Sequence, residues 1–252
     1  MKKLLLSLMA LACSMSMNAQ IKGTATRTGD ISVNWVQLWE DGPRFAEYNV
    51  GAEKAEDYGG YYEWGSSIDR DSKDAYKSGS DALSGADDTA TNLWGDNWRM
   101  PTKEELKALL DNCDVAWTDN YNGSGIKGKV FTGKGDYASN SVFLPANGSG
   151  MGGGVFGKGN QGNYWSSTPD GTTRVFYLVF NSAVQSMESS SSRMSGLAVR
   201  AVLADNAAAI EGVVDNAINT RRGGKKVIDG SKLIIIGNNG KMYNTVGIEI
   251  KK

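Results

Sequence analysis

The sequence contains no histidine, and it has two cysteines and four prolines in 252 residues. Without histidine the chain cannot carry a Ser-His-Asp triad, a Cys-His pair or a histidine zinc site. It also lacks the one side chain whose unperturbed pKa lies near neutral pH. Two cysteines are too few for a thiolate metal cage or an iron–sulfur cluster. The composition therefore excludes much of enzyme chemistry before any motif is considered.

An excess of charge of one sign is also lacking, because 27 Lys and Arg stand against 28 Asp and Glu. The formal net charge of −1 provides no whole-molecule attraction to nucleic acid or to an anionic membrane, so we expect neither as a partner. What the chain does have is 32 Gly, 7 Trp and 10 Tyr. This mixture is typical of a loop-rich domain in which aromatic rings hold long irregular segments.

Residues 1–19 are predicted to be an export signal. Lys2 and Lys3 precede the apolar run 4–12, and small residues lead to a cleavage site after Ala19. The apolar run is shorter than the about 20 residues of a membrane-spanning helix, so no transmembrane segment is expected. Lipid anchoring at Cys13 is the less favoured alternative, because the leucine before it stands one position too close for a lipobox. We expect an exported protein at the cell surface or outside the cell, with the periplasm as the alternative.

Composition divides the rest of the chain into segments. These are an N-terminal segment at 20–34, a cored domain at 35–203 that contains every tryptophan, a polar linker at 204–226 and a C-terminal tail at 227–252. The tail has a β-branched run and an Asn-Asn-Gly turn signal, which predict a small β-meander. Loss of the signal would leave Cys113 as the single cysteine, so the fold is expected to have no internal disulfide.

An α+β fold is predicted for the cored domain. A long helix should begin after Pro101, because Thr102 and Glu105 form a capping box and Leu106 and Leu109 share one face with Leu110. A shorter helix is expected at 87–94, capped by Asp87 or Asp88. Short strands are predicted at 142–144, 164–167, 175–180 and 197–202, with loops at 65–85, 148–162 and 181–195.

Alternation along the predicted strands assigns side chains to faces. Tyr164 and Trp165 should lie on opposite faces of their strand, with Trp165 in the core. Phe176, Leu178 and Phe180 form one inward stripe, and Val175, Tyr177 and Val179 face the other side. Arg99, next to the predicted start of the long helix, is expected to be a buried or half-buried ion-pair donor.

Seven runs of this chain resemble the FISUMP, or major paralogous, domain. They are WVQLWEDGPRFAEYNVGA (35–52), YGGYYEWG (58–65), DDTATNLWGDNWRMPTKEELKALLDNC (87–113), SVFLPANG (141–148), GNYWSSTPDG (162–171), FYLVFNS (176–182) and GLAVRAV (196–202). The resemblance implies an exported protein with a C-type-lectin-like fold, related to the formylglycine-generating enzymes. The chain departs from the family at Tyr48, where many members have a cysteine that could bridge to Cys113, and at Ala201, where Arg-Pro-Val is frequent.

The tail also resembles the C-terminal segments of proteins exported by type IX secretion. Its Lys-x-Tyr-Asn-x-x-Gly pattern falls at Lys241, Tyr243, Asn244 and Gly247. The resemblance implies that the tail is a sorting or anchoring segment and that its partner is secretion machinery.

The acidic residues of the middle of the chain raise the question of calcium. Ca²⁺ takes several carboxylate oxygens from a flexible loop, and carboxylates occur at Asp69, Asp71, Asp74, Asp81, Asp87 and Asp88. Arg70 and Lys73 interrupt the first cluster, and both the EF-hand spacing and the lectin-type ligand triplets are missing. We therefore expect no cofactor, with calcium as the disfavoured alternative.

Three classes of function remain. The favoured one is a non-catalytic module that binds an extracellular glycan or protein through loops at 148–162, 168–174 and 181–195. The second is a structural or tip subunit of a surface assembly, joined through the tail or an edge strand. The third and remote one is an enzyme of the formylglycine-generating type, which would need reactive cysteines where the mature chain has one.

The candidate ligand-binding residues lie in and beside the predicted loop 181–195. Serines adapt their hydrogen bonds at little entropic cost, and the larger side chains near them usually carry binding energy. The candidates are Asp170, Thr172, Arg174, Tyr177, Gln185, Met187, Glu188, Ser190 and Arg193. Changing Arg174, Met187 and Arg193 together to alanine is expected to weaken ligand binding with little change in melting temperature.

Overall fold

The computed structural model describes residues 22–69, 77–151 and 153–204, and the backbone of the tail at 225–229, 232–236, 242–243 and 249–250. Within these residues the chain has two α-helices, α1 (Thr89–Trp94) and α2 (Lys103–Asn112). The strands up to residue 156 are β1 (Lys22–Arg27), β2 (Ile31–Gln37), β3 (Arg44–Ala46), β4 (Trp98–Arg99), β5 (Asp114–Thr118), β6 (Gly128–Thr132), β7 (Ser141–Pro145), β8 (Ser149–Met151) and β9 (Gly154–Phe156). Those that follow are β10 (Gln161–Asp170), β11 (Arg174–Asn181), β12 (Gln185–Ser192), β13 (Val202–Leu203), β14 (Lys225–Asp229), β15 (Lys232–Ile236), β16 (Met242–Tyr243) and β17 (Glu249–Ile250).

The strands pair into antiparallel sheets, so the described residues combine mostly antiparallel β-structure with two helices. The sheet of strand order β1-β2-β3-β13-β4 joins the two ends of the cored domain, because Val202 of β13 pairs with both Phe45 and Arg99. The sequence boundary at residue 35 falls inside β2, which pairs with β1 from Ile31 to Val36. Residues 22–34 therefore belong to the same sheet as the first strands of the domain.

A second sheet, β10-β11-β12, lies between two apolar clusters of the described chain. Trp165 and Val175 pack into one cluster with Trp64 and Trp98, whereas Tyr164 packs into the other. The second cluster also includes Leu178, Phe180, Met187 and Leu109. The predicted opposite placement of Tyr164 and Trp165 is confirmed. Because both faces of the sheet are covered, Val175 is buried although it lies opposite the predicted inward stripe.

Helix α2 begins as its sequence predicts. The Thr102 side chain accepts from the Glu105 N–H at 3.1 Å, and the Glu105 carboxylate accepts from the Thr102 N–H at 2.8 Å. The Nη1 of Arg99 donates to the Glu105 Oε2 at 2.7 Å, and its Nη2 donates to the Glu105 Oε1 at 2.6 Å. The predicted half-buried ion pair is therefore also present. Leu106 and Leu109 are buried on the face that packs on the sheet.

Helix α1 is capped by Asp88, one of the two predicted candidates. Its carboxylate accepts from the N–H groups of Ala90 and Thr91, at 2.8 and 3.1 Å, and from the Met100 N–H. Burial raises the pKa of the Asp88 carboxyl, an effect that these three N–H donors oppose. A carboxylate buried with three backbone donors ties α1 to the strand that precedes α2.

Four local predictions are wrong. The segment 168–174 is a turn only at 171–173, because β10 continues to Asp170 and β11 begins at Arg174. The segment 181–195 is not a loop, because β12 occupies most of it and pairs with β11 from Arg174 to Phe180. The glycine-rich stretch 148–162 contains the β8–β9 hairpin. The predicted strand 197–202 forms strand only at its last residue, in β13, because its successive N–H and C=O groups bond to separate segments, at Tyr62, Val50 and Ala46, rather than to one partner strand.

The backbone of the tail forms the predicted meander. Strands β14, β15, β16 and β17 pair antiparallel in sequence order, in a sheet that shares none of its strands with the other sheets of the described chain. The meander begins at Lys225, two residues before the boundary that composition suggests. Tyr243 lies in β16, whereas Lys241, Asn244 and Gly247 lie outside the described residues, as do the signal 1–19 and most of the linker.

Cys113 is a free thiol that ends α2 and packs in the apolar cluster beside Leu109. Burial raises the pKa of its thiol to about 12, so almost no thiolate forms at neutral pH.

We expect the melting temperature of the chain 20–252 to be the same with and without reductant, because no disulfide is there to be broken. We also expect a thiol reagent to modify Cys113 only after unfolding. A fall of several degrees on reduction would reveal an intermolecular disulfide.

Candidate functional site

The predicted ligand-binding residues are divided by the register of β10, β11 and β12. Cα partners in antiparallel strands present their side chains to the same face. Asp170 pairs with Arg174, Arg174 with Ser192, and Phe176 with Ser190, so these side chains share one face. We call the polar part of this face the β12 surface, with Thr172 from the adjoining turn and Lys103 from α2, which pairs with Glu188: Lys103, Asp170, Thr172, Arg174, Glu188 and Ser190.

Arg174 is exposed, yet it is held in a fixed orientation. Its Nε donates to the Ser190 Oγ at 2.9 Å, and its Nη2 donates to the Ser190 carbonyl oxygen. The guanidinium is therefore tied across the strand pair through two of its nitrogens. A planar guanidinium fixed in this way presents its remaining donors in one direction, as recognition of a carboxylate or of hydroxyl groups requires.

Glu188 and Lys103 form the second charged part of the β12 surface. The Lys103 Nζ lies 3.0 Å from the Glu188 Oε2 and 3.6 Å from the centre of the Phe176 ring. The Glu188 side chain is 65% exposed, so one side of its carboxylate faces solvent. The Lys103 ammonium lies over the ring of Phe176, which is the half-buried member of the predicted inward stripe.

Lys103 is the member of the β12 surface that sequence reasoning missed. It is the first residue of α2, and its N–H donates to the Thr168 Oγ1 at 3.0 Å. Its ion pair with Glu188 joins residues 85 positions apart. The capping box locates the start of the helix, but no local pattern indicates which strand the helix start will meet.

Met187 and Arg193 are buried, whereas their predicted contact with a ligand requires them at the surface. Met187 is 2% exposed and packs in the cluster with Leu178 and Phe180, because a bulge between Tyr177 and Val179 turns it inward. Arg193 is 0% exposed and follows β12. Neither side chain can reach a ligand without local unfolding.

The guanidinium of Arg193 is enclosed by the protein. Its Nη1 donates to the Lys77 carbonyl oxygen at 2.7 Å, and its Nη2 donates to the carbonyl oxygens of Gly79 and Gly171. The Cζ of the Arg193 guanidinium also lies 4.2 Å from the centre of the Trp64 ring. Arg193 thus joins the segment around residue 78 to the turn between β10 and β11, which is a structural role.

Tyr177 and Gln185 are separated from the β12 surface. Tyr177 pairs with Trp165 on the opposite face of the sheet, where the two rings meet edge to face at 6.2 Å. Burial raises the pKa of the Tyr177 hydroxyl. Gln185 starts β12 at its far end, and its Oε1 accepts from the Nζ of the buried Lys129. The nine predicted residues are therefore not one site.

Three of the acidic residues considered for calcium have structural partners in the described chain. Asp69 accepts from the Tyr61 N–H at 2.9 Å, and Asp87 pairs with Lys77 at 2.6 Å. Asp88 caps α1. Asp71 and Asp74 lie outside the described residues. Within the described chain, no group of three or more carboxylate or cysteine side chains is placed to hold a metal ion.

No family model, curated protein or solved structure matches this chain. Across the residues that the structure describes, no helix has both the length and the apolar character needed to cross a membrane.

Proposed function

We propose that this chain is an exported, non-catalytic ligand-binding module at the cell surface, built on a C-type-lectin-like scaffold. The observation that carries the proposal is the β12 surface, where oriented charges stand on a strand pair backed by two apolar clusters. A rigid support of this kind lets a ligand bind with little loss of conformational entropy in the protein. The ligand we infer is an extracellular glycan or protein.

The chemistry of the β12 surface suits recognition through hydrogen bonds. Arg174 and Lys103 supply donors, Asp170 and Glu188 supply acceptors, and Ser190 lies between them. Two charges of each sign leave the surface without a net field. Binding should therefore depend on the positions of hydrogen-bonding groups more than on the total charge of the ligand.

Cys113 supports the non-catalytic part of the proposal. An enzyme of the formylglycine-generating type needs a reactive thiolate, which requires a lowered pKa and access to substrate. The thiol of Cys113 is buried, and burial raises its pKa to about 12. This environment is the opposite of the one that activates a cysteine.

We expect the double change Arg174→Ala and Glu188→Ala to weaken binding at the β12 surface by about 2 kcal/mol, roughly thirtyfold, because it removes both oriented charges. Its melting temperature should be nearly unchanged, since both side chains are exposed. The ligand would first be identified on a glycan array probed with the chain 20–252, with and without calcium.

The matched control removes the same charges elsewhere. Lys134 and Glu40 are exposed and lie outside the β12 surface, so Lys134→Ala with Glu40→Ala should leave affinity unchanged. Equal affinity of the Arg174→Ala, Glu188→Ala variant and the unaltered chain would contradict the assignment of the β12 surface.

A second function is favoured by the position of β12. In the described residues it is paired on one side with β11 and is an outer strand of its sheet. An outer strand can accept a strand from another molecule, as in surface assemblies. Gel filtration at increasing concentration discriminates the two functions: oligomers that grow with concentration support an assembly subunit, and a constant monomer supports a binding module.

The tail is proposed to direct export, with secretion machinery as its partner. Its meander is a sheet separate from those of residues 22–203. Deleting 205–252 should therefore abolish delivery to the surface, measured by whole-cell labelling, and should leave the remaining domain folded, as judged by its circular dichroism and cooperative melting. Normal delivery of the truncated chain would contradict the sorting role.

A further inference from the structure

A cleft of about 430 Å³ lies on the β1-β2-β3 end of its sheet, away from every residue of the β12 surface. Polar side chains line it together with the aromatic residues Trp35, Tyr121 and Phe143: Lys22, Thr24, Asn34, Glu47 and Ser141. A concave site of this volume with a few convergent polar groups is the usual form of a small-ligand site. The residues come from three separate regions of the chain, so their convergence is a product of the fold.

Tyr121 provides a flat apolar platform in this cleft. Its ring stacks on Phe143 with centroids 3.9 Å apart and planes within 5°. Phe143 is buried beneath it, whereas Tyr121 is half exposed, so the outer face of the Tyr121 ring remains for a ligand. The Tyr121 hydroxyl is protonated at neutral pH, as a phenol ordinarily is, and burial raises its pKa further.

The polar groups of the cleft are held in place but keep hydrogen-bonding capacity. The Asn34 Nδ2 donates to the Glu47 Oε2 at 2.8 Å, and the Glu47 N–H donates to the Asn34 carbonyl oxygen at 2.8 Å. The Asn34 Oδ1 and the Glu47 Oε1 are acceptors beyond these bonds. Lys22 donates one of its three N–H groups to the Ser139 carbonyl oxygen. Oriented donors and acceptors thus stand side by side.

A second cleft of about 430 Å³ adjoins the first, since Asn34 and Glu47 line both. It adds Arg27, Ser32 and Glu53. The Nε of Arg27 is buried and has no hydrogen-bond partner within the described chain. Between Ile31 and Val36 the two clefts follow β2 for about 17 Å, at about 3.4 Å per residue. We call the two adjoining clefts together the groove. It is long enough for a ligand of several units.

The charges along the groove cancel. Lys22 and Arg27 line the groove together with Glu47 and Glu53, so the groove offers no net field to a polyanion or a polycation. What it offers is a ring face beside amide, carboxylate and hydroxyl groups. Adjacent hydroxyls, each of which both donates and accepts, match this mixture, and the C–H face of a sugar ring matches an aromatic platform.

We propose that this groove binds a neutral oligosaccharide, at a site distinct from the β12 surface. The ring of Tyr121 carries one sugar unit, and the Asn34–Glu47 pair binds hydroxyls where the two clefts meet. Arg27 lines the other end.

The experiment titrates the chain 20–252 with cellohexaose, laminarihexaose, mannohexaose and xylohexaose by calorimetry. We expect at least one of them to bind, and Asn34→Ala and Glu47→Gln each to weaken that binding about tenfold or more. Glu47→Gln keeps the shape of the side chain, so the test stands if Asn34→Ala fails to fold. Glu40→Gln, which makes the same change outside the groove, should bind as the unaltered chain does.

The results that would contradict sugar binding in the groove differ from those that would contradict the proposed function. Absence of binding to all four hexasaccharides at millimolar concentration overturns the inference, as does equal affinity of the Glu47→Gln and Glu40→Gln chains. Binding that is lost in Arg174→Ala but kept in Glu47→Gln places the sugar on the β12 surface; it overturns the groove and leaves the proposed function intact. Salt-sensitive displacement by heparin would show a polyanion site instead.

Discussion

Changing Arg200 to alanine should lower the free energy of unfolding by about 3–5 kcal/mol, because it removes a buried cation and leaves its partners unsatisfied. Arg200 is 1% exposed. Its Nε donates to the Asn49 Oδ1 at 2.9 Å, and its Nη2 donates to the Phe143 carbonyl oxygen at 2.9 Å. Its Nη1 donates to the carbonyl oxygens of Ala46 and Glu47. The one side chain therefore joins β3 to β7.

The measurement is urea unfolding followed by tryptophan fluorescence, with the midpoint and slope both reported. Burial lowers the pKa of Arg200 to about 10, so the guanidinium is still charged at pH 7. Arg200→Lys should restore part of the loss, because it keeps the charge but not the planar set of donors. Arg174→Ala, which removes an exposed arginine, is the control. A loss below about 1 kcal/mol in Arg200→Ala would contradict this role.

Arg193→Ala should be the other strongly destabilising change, again by about 3–5 kcal/mol. It removes the donors to the carbonyl oxygens of Lys77, Gly79 and Gly171 and the cation that stacks on Trp64. For a chain of this length, such a loss lowers the melting temperature by about 10 °C. Differential scanning calorimetry measures it directly.

This expectation corrects the triple change of Arg174, Met187 and Arg193 to alanine that the sequence suggests. Two of the three side chains are buried, so the triple variant should lose stability, and weaker binding would then report unfolding. Arg193→Ala as a single change separates the cases. An unchanged melting temperature in Arg193→Ala would indicate that Arg193 is exposed. It would then be a candidate ligand contact again.

Much of the local structure could be predicted because its causes lie within a few residues. The capping box of α2 joins residues three positions apart, and the cap of α1 joins Asp88 to residues two and three positions on. Alternation places Tyr164 and Trp165 on opposite faces. The family resemblance and the export signal stay predictions, because no comparison bears on the first and the described residues do not include the second.

The candidate site was predicted less well, for a reason that Arg193 and Arg174 illustrate. Arg174 follows two threonines and Arg193 follows four serines, and neither short polar context indicates which arginine is buried. Arg174 bonds to a residue 16 positions away on the neighbouring strand and stays exposed. Arg193 meets a carbonyl oxygen 116 positions away and is buried.

By itself, the sequence determined which chemistries are excluded, where the helices begin and which strand residues alternate. The absence of histidine is a property of the composition, and caps and alternation depend on residues two to four positions apart. Only the tertiary structure decided which charged side chains are buried, that β12 is a strand, and that Lys103 meets Glu188. The groove beside Tyr121 also depends on the tertiary structure, because it needs Lys22, Glu47 and Tyr121 in one place. A buried charge is stable only where several distant backbone oxygens converge, and that convergence belongs to the packing of the whole domain.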